Sequence, residues 1–189
     1  MRGRWFDGLI GLALFGGALA AYAATLAPTV LDGDAALFQY TPQVLGVTYP
    51  TGYPVYLLLS KVWLSLFPFG QVAWRMNLFS ALCASLALPI FYDVARRVWH
   101  SRWAALTSVL IYATLPTYWL WATEAKIYAL NILLYSMVLW LALAAGLGSW
   151  GAGEQGSRGA GEQGSREKGA LRLTPYALLL TAYCLLLTA

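Results

Sequence analysis

Two carboxylates, Asp32 and Asp34, stand two positions apart in a polar segment that directly follows the first long apolar run. That spacing lets both reach a common site, where a neighbouring negative charge or partial desolvation makes one of them a better base. Asp-Gly-Asp is equally an ordinary turn leading into a helix, with an acid near the cap, so base and cap both stay open on spacing alone. Glu124 and Lys126 form a second polar pair within Thr123-Glu-Ala-Lys-Ile-Tyr128-Ala-Leu-Asn131. Charges at the edge of an apolar run either serve a site or snorkel to the headgroups. Tyr128 and Asn131 are one helical turn apart, so Asn131 shares its face and either bonds a neighbouring helix or lines a cavity. Tyr40, Tyr49, Tyr53, Tyr56 and Trp63 crowd the first polar segment. Their rings suit stacking on a sugar or lipid head, and an interfacial aromatic belt predicts the same enrichment.

Other chemistries lack their residues. His100, the one histidine, sits among Arg96, Arg97 and Arg102 with no second ligand nearby, so no metal site is expected. Cys83 and Cys184 fall inside apolar runs and read as small hydrophobes. No Gly-rich phosphate loop or nucleophile elbow occurs. The net charge of +4 comes from basic residues beside apolar runs rather than from a face with stacking aromatics, so no nucleic-acid partner is expected.

The elements that must position these groups are membrane helices. The chain is 60% hydrophobic and 11% charged, against about 25% charged for soluble domains. The apolar surplus lies in runs near the roughly 20 residues that cross a hydrocarbon core. These runs predict spans over Leu9–Ala27, Met76–Val94, Trp103–Trp121 and Ile127–Leu147. The first could also be a signal peptide, but it stays apolar up to Pro28 and further spans follow, which favours a retained anchor. Pro28 to Tyr53 reads as an outer loop, and Val55–Phe67 as a helix along the interface with Lys61 and Trp63 at headgroup level. The octapeptide at Gly151–Arg158 is repeated unchanged at Gly159–Arg166. Such sequence cannot bury a core and reads as a linker.

The expected architecture is an all-α polytopic transmembrane bundle of about five membrane helices plus the interfacial helix. Residues 1–147 make the membrane core with its outer loop at 28–75, residues 148–172 a cytoplasmic linker, and residues 173–189 a truncated fifth helix. Cytoplasmic flanks are enriched in Lys and Arg. A cytoplasmic N-terminus puts Arg2, Arg4, Arg96, Arg97, Arg102, Arg158, Arg166, Lys168 and Arg172 inside and only Lys61, Arg75 and Lys126 outside. Treating Val55–Phe67 as a full span would reverse the later segments, so it is read as interfacial or re-entrant.

The order of features resembles a known family. The stretches Gly33-Asp34-Ala-Ala-Leu-Phe38-Gln39, Leu45-Gly46-Val-Thr-Tyr-Pro50-Thr-Gly52-Tyr53-Pro54, Val72-Ala-Trp74-Arg75-Met-Asn77-Leu-Phe-Ser80-Ala81-Leu82 and Tyr128-Ala-Leu130-Asn131 are similar to the N-terminal membrane core of the GT-C superfamily, in its protein O-mannosyltransferase-like branch of bacterial domain-of-unknown-function relatives. The resemblance covers about Ala27 to Leu147. It implies a glycosyltransferase that moves a sugar from a polyprenyl-phosphate donor to a hydroxyl of a protein or glycan acceptor at the outer face, with inversion; no cofactor is expected besides the lipid-linked donor, and a metal requirement stays open. Asp34 falls on the family's outer-loop aspartate and is the implied base, with Asp32 as helper. Arg75 and Lys126 are the outer cations for the lipid phosphate, and Glu124, Tyr53, Tyr128 and Asn131 complete the substrate set. The chain departs from the family at Leu37, where a glutamate is usual, at Tyr49, where a histidine is usual, and at Thr51, where a second proline is usual. Two rivals remain: a non-catalytic membrane protein whose acids only cap and solvate the loop, and a transporter. The second would need polar groups at the midplane or helices broken in corresponding positions of two repeats; the spans show few such groups, and Pro89 and Pro116 interrupt two of them without an evident inverted repeat.

Overall fold

The computed structural model describes residues 2–50 and 52–145, with side chains described from Trp5 onward. Among the described residues seven helices follow in order: α1 (Arg2–Ala24), α2 (Asp34–Val44), α3 (Pro54–Leu66), α4 (Val72–Trp99), α5 (Arg102–Thr114), α6 (Pro116–Thr123) and α7 (Ile127–Ala144). No strand occurs among the described residues. The bundle is all-α, and α1, α4 and α7 are long and apolar enough to cross a membrane. The linker at 148–172 and the fifth helix at 173–189 lie outside the described residues.

α4 is the central element. It carries Met76, Ala81, Ala87 and Leu88 with no exposed surface, and α1, α5, α6 and α7 all pack on it. The side-chain bonds set the directions. Asn77 near the start of α4 reaches Ala27 beyond the end of α1, while Arg96 near its end reaches Asp7 at the start of α1, so these two helices are antiparallel. Ala125 before α7 meets Asn77, and Trp140 late in α7 meets Asp93, so α4 and α7 run in parallel. At 1.5 Å per residue, Asn77 and Arg96 lie about 28 Å apart along one helix, close to the thickness of a hydrocarbon core.

Two expectations are corrected. The stretch read as a loop from Pro28 to Tyr53 contains α2, eleven residues long with Pro42 inside it. Pro42 has no N–H for the Phe38 carbonyl, and the Tyr56 hydroxyl donates to that carbonyl instead, at 3.4 Å. The third span, read as Trp103–Trp121, is broken into α5 and α6 at Leu115. Pro116 cannot continue the ladder. The Ala113 carbonyl next to the break accepts the hydroxyl of Tyr22 at 2.8 Å, from a tyrosine with only 1% of its surface exposed. α3 forms where the interfacial helix was expected. Its Lys61 Nζ donates to the Gln43 carbonyl at 2.6 Å, and Trp63 Nε1 donates to the Arg75 carbonyl at 2.8 Å, so both side chains tie α3 to its neighbours.

Candidate active site

Asp34 opens α2. Gly33 before it has φ 68°, a conformation that favours glycine, and no side chain caps the helix. The acid in the first turn complements the helix dipole, yet its exposed carboxylate has a specific partner: the Tyr49 hydroxyl donates to Asp34 Oδ1 at 2.5 Å. Tyr49 is brought back over α2 by a tight turn in which the Gly52 N–H donates to the Tyr49 carbonyl at 2.8 Å, with Gly52 at φ 70° and Tyr53 at φ 41°. The bond to the Asp34 carboxylate stabilises the protonated phenol and holds the Tyr49 pKa above its ordinary value, with smaller contributions from desolvation and from Tyr53 and Tyr128.

Aromatic rings surround this pair. Phe38 on α2 lies 6.1 Å from Tyr49, 5.9 Å from Tyr53 and 5.4 Å from Tyr56 between ring centroids, and Tyr49 meets Tyr53 edge-on at 6.4 Å. Tyr128, at the start of α7, pairs with Trp121 at 5.0 Å and is close enough to Tyr49 to influence its ionisation. Asp34, Tyr49, Tyr53 and Tyr128 therefore gather at one end of the bundle.

The other residues singled out in the sequence fall as follows. Asp32 is exposed in the segment before α2. Glu124 and Lys126 pair with each other at 2.7 Å, both about a quarter exposed, on the α6–α7 connection. Asn131 is half-buried one turn beyond Tyr128. Arg75 is only 7% exposed, and its guanidinium donates to the Leu64 carbonyl in the last turn of α3. Such carbonyls have no partner within their own helix, so the position of Arg75 serves the end of α3.

Two residues with no role assigned from the sequence hold the site in place. Asn77 is fully buried, and its Oδ1 accepts from Gln39 Nε2 at 2.9 Å and from the Ala125 N–H at 3.0 Å, while its Nδ2 donates to the Ala27 carbonyl at 3.1 Å. Gln39 Oε1 in turn accepts from the Leu31 N–H at 3.0 Å. Backbone N–H groups only donate and carbonyls only accept, so these partners fix both amide orientations. One network thus joins the segment before Asp34, helix α2, helix α4 and the Glu124–Lys126 connection. Both residues lie in the stretches that carry the family resemblance; the signal that could have revealed Asn77 is its polarity inside the apolar run at Met76–Val94, whereas Gln39 sits in a segment already polar.

The family of the protein O-mannosyl-transferase TMEM260 N-terminal domain matches residues 34–147, beginning at Asp34. The protein O-mannosyl-transferase TMEM260 of Mus musculus is 28% identical over 143 residues, which is 75% of this chain and 20% of the mouse protein. The protein O-mannosyl-transferase tmem260 of Dictyostelium discoideum is 26% identical over 125 residues, 65% of this chain and 15% of that protein. The chain thus matches a fifth or less of the length of these relatives. No solved structure matches.

Proposed function

The chain belongs to the family of protein O-mannosyl-transferase TMEM260 N-terminal domains, and from that premise we propose that it is the base-bearing membrane part of a glycosyltransferase using a polyprenyl-phosphate sugar. Its acceptor is a hydroxyl of a protein or glycan, and Asp34 is the base. The single observation that carries this reading is the exposed Asp34 carboxylate, held by the Tyr49 hydroxyl at 2.5 Å beside a cluster of aromatic rings.

In the proposed reaction Tyr49 fixes Oδ1, which directs Oδ2 at the acceptor. Oδ2 takes the acceptor proton as the acceptor oxygen bonds to the anomeric carbon. The bond from that carbon to the lipid phosphate oxygen breaks with its electron pair, and the configuration inverts. General-base assistance of this kind contributes roughly 10²–10⁴-fold. Tyr53 and Tyr128 offer ring faces to the sugar, and Asp32 adds negative charge near the base. Lys126 meets the leaving phosphate only by exchanging its partner Glu124 for it. Arg75 supports the end of α3.

The test is lipid-linked sugar turnover in membranes containing this chain, or a form extended through its downstream coding sequence, each with and without Asp34→Asn. Turnover that disappears with Asp34→Asn supports the reading. Turnover that survives Asp34→Asn rules out Asp34 as the base, and no turnover in either form with any of several donor sugars leaves a non-catalytic membrane protein. A cytoplasmic N-terminus, with the Asp34 end outside, is part of the same proposal. It is checked by cysteine labelling of intact cells at Gln43 and Gly156, where labelling at Gly156 by a membrane-impermeant reagent refutes it.

A further inference from the structure

At the end of the bundle away from Asp34, α1 and α7 both pack on α4 and leave a groove of about 760 Å³ between them. One part of it is apolar, walled by Gly8, Gly11, Leu12 and Phe15 of α1 and by Pro89 of α4. A Cβ added at Gly11 would meet Pro89 Cβ at 3.4 Å, so the two helices touch there, whereas one added at Gly8 would meet nothing within 4 Å. The other part is polar and ends on Arg96 and Arg97, which also line an adjoining cavity of about 470 Å³ with His100 and Arg102.

Asp7 is bonded by Arg96 at 2.7 Å and Arg102 at 2.9 Å, and Asp93 by Arg96 at 3.1 Å and Arg97 at 2.8 Å. Among the described residues Arg96 Nε is buried without a hydrogen-bond partner, and the adjoining cavity is lined by the basic side chains of Arg96, Arg97, His100 and Arg102. Around this end Trp5, Trp99 and Trp103 are 79%, 62% and 78% exposed. Exposed tryptophans mark the level of lipid headgroups, and basic pockets between membrane helices suit phosphate-bearing heads.

We propose that this groove binds an anionic phospholipid, with its phosphate at Arg96 and Arg97 and one acyl chain along Gly8, Gly11, Leu12, Phe15 and Pro89. The basic lining of the adjoining cavity selects the anionic head. The apolar wall explains why the ligand is a lipid rather than free phosphate. This site is independent of Asp34 and of the sugar chemistry proposed for it.

The test is native mass spectrometry of the full chain in neutral detergent, titrated with dioleoyl-phosphatidylglycerol, dioleoyl-phosphatidylcholine or inorganic phosphate. Phosphatidylglycerol is expected to bind about tenfold more tightly than phosphatidylcholine. Arg97→Gln should weaken it about fivefold, the effect of one basic side chain near a membrane surface. Gly8→Phe fills the groove from an open position and should displace both lipids. Continued shielding of Cys83, which is buried in α4, shows that each variant remains folded. Equal binding of the two lipids overturns the proposal, as does displacement of phosphatidylglycerol by millimolar phosphate. So does oxidative cross-linking of Gly8→Cys to Cys184, which would mean that the chain's own C-terminal segment fills the groove.

Discussion

Replacing Asn77 with leucine tests the positioning network directly. Leucine keeps much of the volume and removes all three hydrogen bonds. The Ala125 N–H and the Ala27 carbonyl belong to backbone that the fold holds in place, and each group left unmet in the interior costs about 1–3 kcal/mol. The Gln39 amide loses one of its partners while Oε1 keeps its bond to Leu31, which adds a smaller cost. The sum is about 3–5 kcal/mol. For a chain of this length the midpoint falls roughly 2–4 °C per kcal/mol, so Asn77→Leu should melt roughly 10 °C lower. A thiol-reactive fluorophore reports this at Cys83, 4% exposed in the native fold, in a Cys184→Ser background. Asn77→Asp adds a signed control. Its carboxylate can still accept from Gln39 and Ala125, but the second oxygen faces the Ala27 carbonyl and must be protonated to bond it. Burial beside that carbonyl raises the folded pKa above the unfolded value of about 3.9. The added stability is therefore full below about pH 4 and is lost as pH rises through the folded pKa. A midpoint for Asn77→Leu within about 2 °C of the parent, or an Asn77→Asp variant that stabilises as pH rises from 4 to 7, would refute the network as described.

Asp34→Asn should abolish sugar transfer while moving the melting midpoint by less than about 1 °C, because exposed side chains contribute little to stability. A matching loss of fold would count against a catalytic role. Tyr49→Phe removes the donor to Asp34 and should lower turnover less than Asp34→Asn does. Tyr49→His retains a donor and should recover part of the loss, and full activity in the phenylalanine variant would refute the positioning role. Asp7→Asn leaves Arg96 and Arg102 without their shared carboxylate, whose side chain is 12% exposed, and should cost about 1–3 kcal/mol, read as a lower midpoint in the same thiol assay. Tyr22→Phe strips the Ala113 carbonyl of its donor at the break between α5 and α6. At about 1–3 kcal/mol for an unmet buried carbonyl, the midpoint should fall by several degrees, and an unchanged midpoint would show that the carbonyl finds another partner.

The long helices were legible because length and apolar content alone decide them. α4 and α7 occur where the runs at Met76–Val94 and Ile127–Leu147 predicted them, α4 extending to Val72 and Trp99. Helix α2 was not legible, since its polar residues and internal Pro42 argue for a loop, and the donor that compensates Pro42 comes from Tyr56, fourteen positions later. Pro116 was visible inside the third run, but the donor that meets the Ala113 carbonyl at the break comes from Tyr22 of α1. In the site, Asp34 could be chosen over Asp32 because the resemblance aligns it. Its bond to Tyr49 could not, because that depends on the backbone turn at Gly52 and Tyr53. Arg75 was a candidate cation for the lipid phosphate on the outer side. A guanidinium turned inward is stable there because the end of α3 supplies an acceptor at Leu64.

The two ends of α4 hold their neighbours by different physics. At the Asp34 end the fastening is neutral: amides of Gln39 and Asn77 bonded to backbone, with Asn77 wholly inside. Dipolar bonds of this kind are little affected by salt or by pH near neutrality, and they fix direction as well as distance. At the other end the fastening is ionic, through Asp7, Asp93 and three arginines that are between a third and a half exposed. Ion pairs at that exposure are screened by salt and readily exchange partners. A base that must meet an acceptor hydroxyl within a few tenths of an ångström benefits from the first kind of support, whereas a surface that meets lipid phosphates benefits from the second. Asn77 and Arg96 lie about 28 Å apart on one helix, so the proposed base and the proposed lipid site hang on opposite ends of α4, each with the kind of fastening its own chemistry needs.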